Sequence, residues 1–231
     1  DDGMHLLDSL VVFPDLGDSI AADAADNLSL EIIGPFADDL DGVDDNLVMR
    51  AARLFGDQTA SLTLTKNLPI ASGIGGGSAD AAATIRVLSK IWSAPYPAID
   101  TLTGLGADVP VCLAQTPTRM SGIGEQLEPI PKLPKFWIVL VNSGKPVATR
   151  SVFTAVTERN NTPIGTMPDN FENFDALAKF LRSLRNDMES AAISVCPSIC
   201  DVLAALRATS NCALSRMSGS GGTCFGIYAT E

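Results

Sequence analysis

The sequence predicts an α+β protein of two domains. In the first half, short strand-like stretches lead into a helix, a further strand, a glycine-rich loop and a long helix, and the second half again mixes helical and strand-like patterns. The run Pro129-Ile130-Pro131-Lys132-Leu133-Pro134 between them is stiff and suits neither a central strand nor a helix. The boundary is expected there, giving domains of residues 1–134 and 135–231. At 231 residues and 46% hydrophobic, the chain can bury a substantial core and lies between the usual sizes of one and two domains.

Taken in order, Ser9–Phe13, Ser19–Ala22 and Leu28–Ile33 alternate or are β-branched, and Asp, Gly and Asn turn residues separate them. That pattern predicts an antiparallel meander. The acidic stretch Asp38–Asp45 is expected to be a loop, with Asp45 or Asn46 capping a helix whose apolar positions Leu47, Val48, Ala51, Ala52, Leu54 and Phe55 have helical spacing. Ser61–Thr65 alternates as a strand. Ser78–Trp92 is rich in helix formers and has an apolar face of Ala81, Ala82, Ile85, Leu88 and Ile91, with no breaker before Pro95. Phe136–Val141 reads as a buried strand. Phe174–Leu184 and Pro197–Leu206 read as helices, the second with Pro197 in its first turn, and Ala213–Met217 and Thr223–Tyr228 as strands around a glycine turn. Ser-Gly-X-Gly occurs at Ser72–Gly75, Ser121–Gly124 and Ser218–Gly221, where small residues suit close backbone approach.

Composition removes several function classes. Sixteen Lys and Arg against 27 Asp and Glu give a net charge of −11, which repels polyanions, so no nucleic-acid partner is expected. No apolar run approaches the ~20 residues that span a bilayer, and no membrane partner is expected either. The single histidine, His5, rules out any metal site or mechanism needing two imidazoles. Cys112, Cys196, Cys200, Cys212 and Cys224 are odd in number and form no Cys-x-x-Cys pair, so they read as small buried residues of a protein in a reducing cytoplasm.

The segment from Lys66 through Ala83 joins a strand to a helix through Gly73, Gly75, Gly76 and Gly77. Such a loop is an anion cradle: glycines let backbone amides reach phosphate oxygens, and the helix N-terminus adds unpaired donors and partial positive charge. Ser72 and Ser78 add hydroxyls. No Gly-Lys-Ser/Thr is present, which excludes a Walker A loop. Gly73-x-Gly75-x-x-Ser78 comes near the dinucleotide fingerprint, with Asp100 at about the expected acidic distance. A nicotinamide-dependent dehydrogenase therefore stays open as an alternative, although Pro69 and the turn Asn67–Ser72 separate strand from glycines.

Pro69 followed by Gly73-Ile74-Gly75-Gly76-Gly77-Ser78-Ala79-Asp80-Ala81-Ala82 resembles the ATP loop of the GHMP kinases, in the triple-glycine form of the branch that acts on 4-diphosphocytidyl-2-C-methyl-D-erythritol. Asp2-Gly3-Met4-His5-Leu6-Leu7 is similar to that branch's substrate motif, Leu105-Gly106-Ala107-Asp108-Val109-Pro110-Val111 to its catalytic segment, and Met217 through Gly226 to its final glycine motif. Asp45-Asn46-Leu47-Val48 and Leu184-Arg185-Asn186-Asp187-Met188-Glu189 complete the series in family order. The resemblance implies a two-domain GHMP-kinase fold, with an N-terminal domain like ribosomal protein S5 and a ferredoxin-like C-terminal domain. It implies ATP-dependent phosphorylation of the substrate's 2-hydroxyl in the non-mevalonate isoprenoid pathway, with ATP and Mg²⁺ as cofactors and a small cytidylyl compound as partner. Another small-molecule GHMP kinase, or a catalytically silent nucleotide-binding relative, is the alternative within the family.

Residue by residue, the resemblance makes Asp108 the catalytic base. It sets Asn46, Lys66, Pro69, Gly73, Gly75, Gly76, Gly77 and Ser78 around the nucleotide, with Mg²⁺ held through Ser78 and the ATP phosphates. Met4, His5, Phe153, Gly219, Ser220 and Gly221 would face the cytidylyl substrate. Met4 stands where the family commonly has a tyrosine stacking on the base, so a thioether replaces a π-face there. The family also has a first strand with a lysine before this chain's start and a helix and strand beyond Glu231, so the chain is expected to be a fragment and a poor catalyst by itself.

Overall fold

The computed structural model describes residues 6–40 and 46–231. The chain divides into two units, Asp1–Ile70 with Gly75–Pro129 and Ala71–Ile74 with Ile130–Glu231. Among the described residues, the first unit carries, in order, β1 (Leu7–Val11), β2 (Ser19–Ala24), β3 (Ser29–Ile33), a 3-10 turn at Asp38–Leu40, α1 (Leu47–Arg53), β4 (Ala60–Thr65) and α2 (Gly76–Trp92). It continues with α3 (Ile99–Leu105), α4 (Val109–Ala114), β5 (Thr118–Gly122) and β6 (Gln126–Pro129).

The expected meander does not form. β4 inserts between β2 and β3, antiparallel to the first and parallel to the second, while β1 pairs with β5 in a separate sheet of order β1-β5-β6. Neighbours in sequence are therefore not neighbours in space. β4 alternates strictly, burying Ala60, Leu62 and Leu64, and this face gains most by occupying the centre. The connection from β3 through α1 to β4 is a parallel crossover.

α2 holds this unit together. Leu88 packs into the core beneath the β2-β4-β3 sheet, Ala81 and Ile85 pack among α1, α3 and α4, and Ala82 meets Val111, Cys112 and Met120 on the side of β1 and β5. Alanines let α1 and α4 approach closely, and the fully buried Ala81 and Ala82 show the result. Ile91, expected on this apolar face, is instead 37% exposed, and the end of the helix is packed through Trp92, whose ring meets Phe55.

The second unit carries β7 (Trp137–Asn142), α5 (Thr149–Ala155), α6 (Phe174–Ser183), α7 (Glu189–Val195), α8 (Ser198–Ala208), β8 (Leu214–Met217) and β9 (Thr223–Tyr228). Its sheet is antiparallel with β9 central, in the order β7-β9-β8. Val152, Ala192, Ile199, Leu203, Met217 and Cys224 form its core. Pro197 sits at the cap position just before α8 instead of inside its first turn. The five cysteines are free, but Cys200 is exposed and Cys212 half-buried, contrary to the expectation that all are buried.

Candidate active site

Thr65 ends β4, and the backbone of Lys66 is at once caught by its surroundings: its amide donates to Ile33 O at 2.7 Å and its carbonyl accepts from Phe36 N at 3.2 Å. The Lys66 side chain turns inward, where its ammonium donates to Asp18 and, at 3.0 Å, to Asp80 Oδ2 on α2. Lys66 is 2% exposed, so its charge is spent inside the protein. Burial pushes the Asp80 carboxyl up to about 6, with Lys66 opposing the shift and Asp18 adding to it.

The middle of the loop, Ala71–Ile74, belongs to the second unit. Thr223 N donates to Ser72 O at 2.9 Å, and a Cβ on Gly73 would overlap the carbonyl oxygens of Gly221 and Ser218. Gly73 has φ +72°, so both conformation and space demand glycine there. The first and third Ser-Gly-X-Gly turns thus lie back to back. The second, Ser121–Gly124, meets a different backbone, and a Cβ on Gly124 would overlap Ala107 O.

At Gly75 the chain takes a left-handed turn, φ 70° and ψ 19°, and α2 begins at Gly76, two residues before the expected start. No side chain caps this end, so the first-turn amides at Gly76, Gly77 and Ser78 have no helical partner. Gly75 lies beside Asp108: a Cβ there would be 3.7 Å from Asp108 Oδ2. Ser78 lies near the same segment, its Oγ 3.4 Å from where a Gly106 Cβ would stand. Asp108 occupies the cap position of α4 without bonding an amide of that helix. Its carboxylate takes no hydrogen bond or ion pair among the described residues, and burial raises its pKa above the usual carboxylate value.

The first unit therefore brings together Gly75, Gly76, Gly77, Ser78 and Asp108. Asn46 caps α1, accepting from Met49 N at 3.0 Å, and Pro69 lies in the turn before the glycines. Met4 and His5 lie outside the described residues. The dinucleotide alternative fails on topology, since β4 belongs to a small mixed sheet and Asp100 sits in the first turn of α3 instead of ending a strand.

In the second unit the last glycine motif forms a tight turn between β8 and β9. Ser218 N donates to Thr223 O at 2.9 Å and Gly221 N to Ser218 O at 3.0 Å. Gly219 and Gly221 have φ of +51° and +102°. Ser220 Oγ lies 2.8 Å from Thr149 Oγ1, and Phe153 is half-buried one helical turn beyond Thr149 on α5, so these two expected substrate residues share a neighbourhood.

Several residues that build the site carry no assigned role in the sequence reading. Asn186 Nδ2 donates to Met217 O and Gly219 O at 3.0 and 2.9 Å, and Glu189 Oε2 accepts from Met217 N at 3.0 Å, so the Leu184–Glu189 segment holds the glycine turn. The resemblance marks this segment as a family motif but assigns its residues no role. Asp18 sits in a turn-like stretch, Asp15-Leu16-Gly17-Asp18, and nothing local marks it as the partner of a lysine 48 residues away.

The profile described as GHMP kinases N terminal domain matches residues 46–116, and the one described as GHMP kinases C terminal matches residues 169–231. A protein of Cereibacter sphaeroides named 4-diphosphocytidyl-2-C-methyl-D-erythritol kinase is 52% identical over 231 residues, covering all of this chain and 83% of that protein. One of the same name from Ruegeria pomeroyi is 49% identical over 232 residues, with coverage of 100% and 83%. Among solved structures, a 4-(cytidine 5'-diphospho)-2C-methyl-D-erythritol kinase superposes with a TM-score of 0.69 at 27% identity, covering 96% of this chain and 79% of that one.

Proposed function

This chain belongs to the GHMP kinase family, and from that premise we propose that it transfers the γ-phosphate of ATP to the 2-hydroxyl of 4-diphosphocytidyl-2-C-methyl-D-erythritol, a step of the non-mevalonate route to isoprenoid precursors. The observation that carries the reading is the carboxylate of Asp108 beside Gly75, at the open N-terminus of α2. An uncapped helix end with glycines before it binds anions through backbone amides, and a carboxylate beside it can reach a hydroxyl brought up to the terminal phosphate.

In the proposed step, Asp108 orients the 2-hydroxyl and accepts its proton while the oxygen forms its bond to the γ-phosphorus. The bond from that phosphorus to the bridging oxygen breaks, and ADP leaves. The amides of Gly76, Gly77 and Ser78 hold the phosphates as charge develops on them. Burial favours the proton on Asp108, which suits an acceptor more than an ordinary surface carboxylate would.

Mg²⁺ belongs to the proposal. The described residues contain no group of three or more His, Cys, Asp or Glu side chains able to hold a metal, which fits an ion carried chiefly by the phosphates with the Ser78 hydroxyl beside it. When bound, Mg²⁺ neutralises phosphate charge. For the cytidylyl substrate we assign Phe153 and the turn at Gly219, Ser220 and Gly221, and by resemblance His5 and Met4. No helix among the described residues is long and apolar enough to cross a membrane, and we assign the reaction to the cytoplasm.

The direct test is Asp108→Asn in the full-length enzyme. ATP affinity should hold while kcat falls by roughly 10²–10⁴, the range for losing a positioned base. Turnover at the wild-type rate would remove Asp108 from the chemistry.

A further inference from the structure

Two carboxylates and one ammonium meet under the glycine loop, nearly dry: the Asp18 and Lys66 side chains are 1% and 3% exposed. Every oxygen of Asp18 is used. Oδ2 takes the Lys66 ammonium, and Oδ1 accepts from Asn67 N at 2.6 Å and Leu68 N at 2.8 Å. The Asn67 side chain returns a bond to Gly17 O at 3.2 Å. Gly34, at φ +103°, permits the close approach on the other side, since a Cβ there would lie 2.7 Å from Lys66 O and 2.9 Å from Lys66 N. Through Lys66 the network reaches Asp80 on α2, and it lies directly under Gly76, whose Cβ would stand 3.5 Å from Lys66 Nζ and 3.8 Å from Asp18 Oδ2.

Buried ion pairs do little for stability compared with apolar packing of similar volume, so this network calls for another reason. Its connections supply one. A single carboxylate ties together Lys66, the residue just after β4, the amides of Asn67 and Leu68 and, through the Lys66 ammonium, the second turn of the helix on the loop's far side.

We propose that Asp18 is the positioning residue of the glycine loop: it fixes where the loop leaves β4 and where α2 begins, and so holds the first-turn amides at the spacing that ATP phosphates require. This rests on reading the loop as the ATP site. Asp18 touches no phosphate itself.

Two variants of the full-length enzyme test it. Asp18→Asn keeps the size and an acceptor for the amides but loses the charge that holds Lys66, whereas Asp18→Glu keeps the charge and moves it by about one bond length. A positioning role predicts that both raise the ATP Kd and KM by about tenfold to a hundredfold, the order that an ångström of misplacement exacts, while the KM for the cytidylyl substrate stays put. A role in charge balance alone predicts a lower melting temperature for Asp18→Asn, a near-normal Asp18→Glu, and an unchanged ATP Kd for whatever fraction is folded. That result would overturn the inference while leaving the loop as ATP site. Wild-type enzyme that binds no ATP would instead overturn the loop reading, and this inference with it. If Asp18→Asn melts below the assay temperature, Asp18→Glu alone decides the matter.

Discussion

The surplus carboxylate beneath the glycine loop makes a pH-dependent prediction. Asp18 alone can neutralise Lys66, so Asp80 adds a buried negative charge, and its pKa stands near 6 chiefly because burial disfavours that charge. The folded protein holds this proton more tightly than the unfolded chain, whose carboxyl titrates near ~3.9. Stability from this group is therefore present at low pH and is lost as pH rises through about 6. Asp80→Asn should raise stability by about 1–3 kcal/mol at neutral pH, by roughly half as much near pH ~5 and by almost nothing below pH ~4, as read from melting curves at all three. Destabilisation at neutral pH would mean that Lys66 needs both carboxylates. Asp108 gives a second signature. Burial raises its pKa, so the acid limb of kcat/KM should lie above the usual carboxylate value. A limb at that ordinary value would assign the base to another group.

At the level of elements, two turns carry the site's rigidity. Gly124 lies against Ala107, the residue before Asp108, at φ +107°, and a methyl group there would overlap Ala107 O. Gly124→Ala should therefore displace the catalytic segment and lower kcat, with little change in ATP affinity because the α2 amides are untouched. Asn186→Ala leaves the carbonyls of Met217 and Gly219 without their shared donor and should cost about 1–2 kcal/mol of stability. It should also raise the KM for the cytidylyl substrate more than that for ATP. Equal effects on both constants would make Asn186 a general structural residue. Much at this scale was legible in the sequence. The periodicity of Ser78–Trp92, the cap at Asn46 and the strand Thr223–Tyr228 each follow from local chemistry that the fold respects. The pairing of β4 between β2 and β3, and the bond from Asp18 to Lys66, depend on distant partners that no local pattern encodes. The glycine loop was readable as an anion cradle for the same reason that it works, because its chemistry lies in consecutive residues. Its supports come from positions 18, 34 and 223, which are far apart in sequence.

For the molecule as a whole, a net charge of −11 sets the terms on which an anionic nucleotide arrives. The ammonium nearest the loop is buried between carboxylates, so the proposed phosphate cradle is made of backbone amides and a helix end. Long-range repulsion is screened by salt, whereas short amide bonds to phosphate are not. At constant Mg²⁺, kcat/KM for ATP should therefore hold or rise as ionic strength increases. A steep fall would point to lysine or arginine side chains on the phosphates. The central claim, that this family member phosphorylates the methylerythritol hydroxyl of a cytidylyl substrate, is tested most directly by phosphorus NMR of the full-length enzyme's products. The assay offers ATP with 4-diphosphocytidyl-2-C-methyl-D-erythritol, mevalonate or homoserine in turn. The account predicts one new phosphomonoester on the 2-hydroxyl of the cytidylyl compound, formed in step with ADP and absent with the other two acceptors. Phosphoryl transfer to mevalonate or homoserine in preference to the cytidylyl compound, or ADP formed without any phosphorylated acceptor, would contradict it.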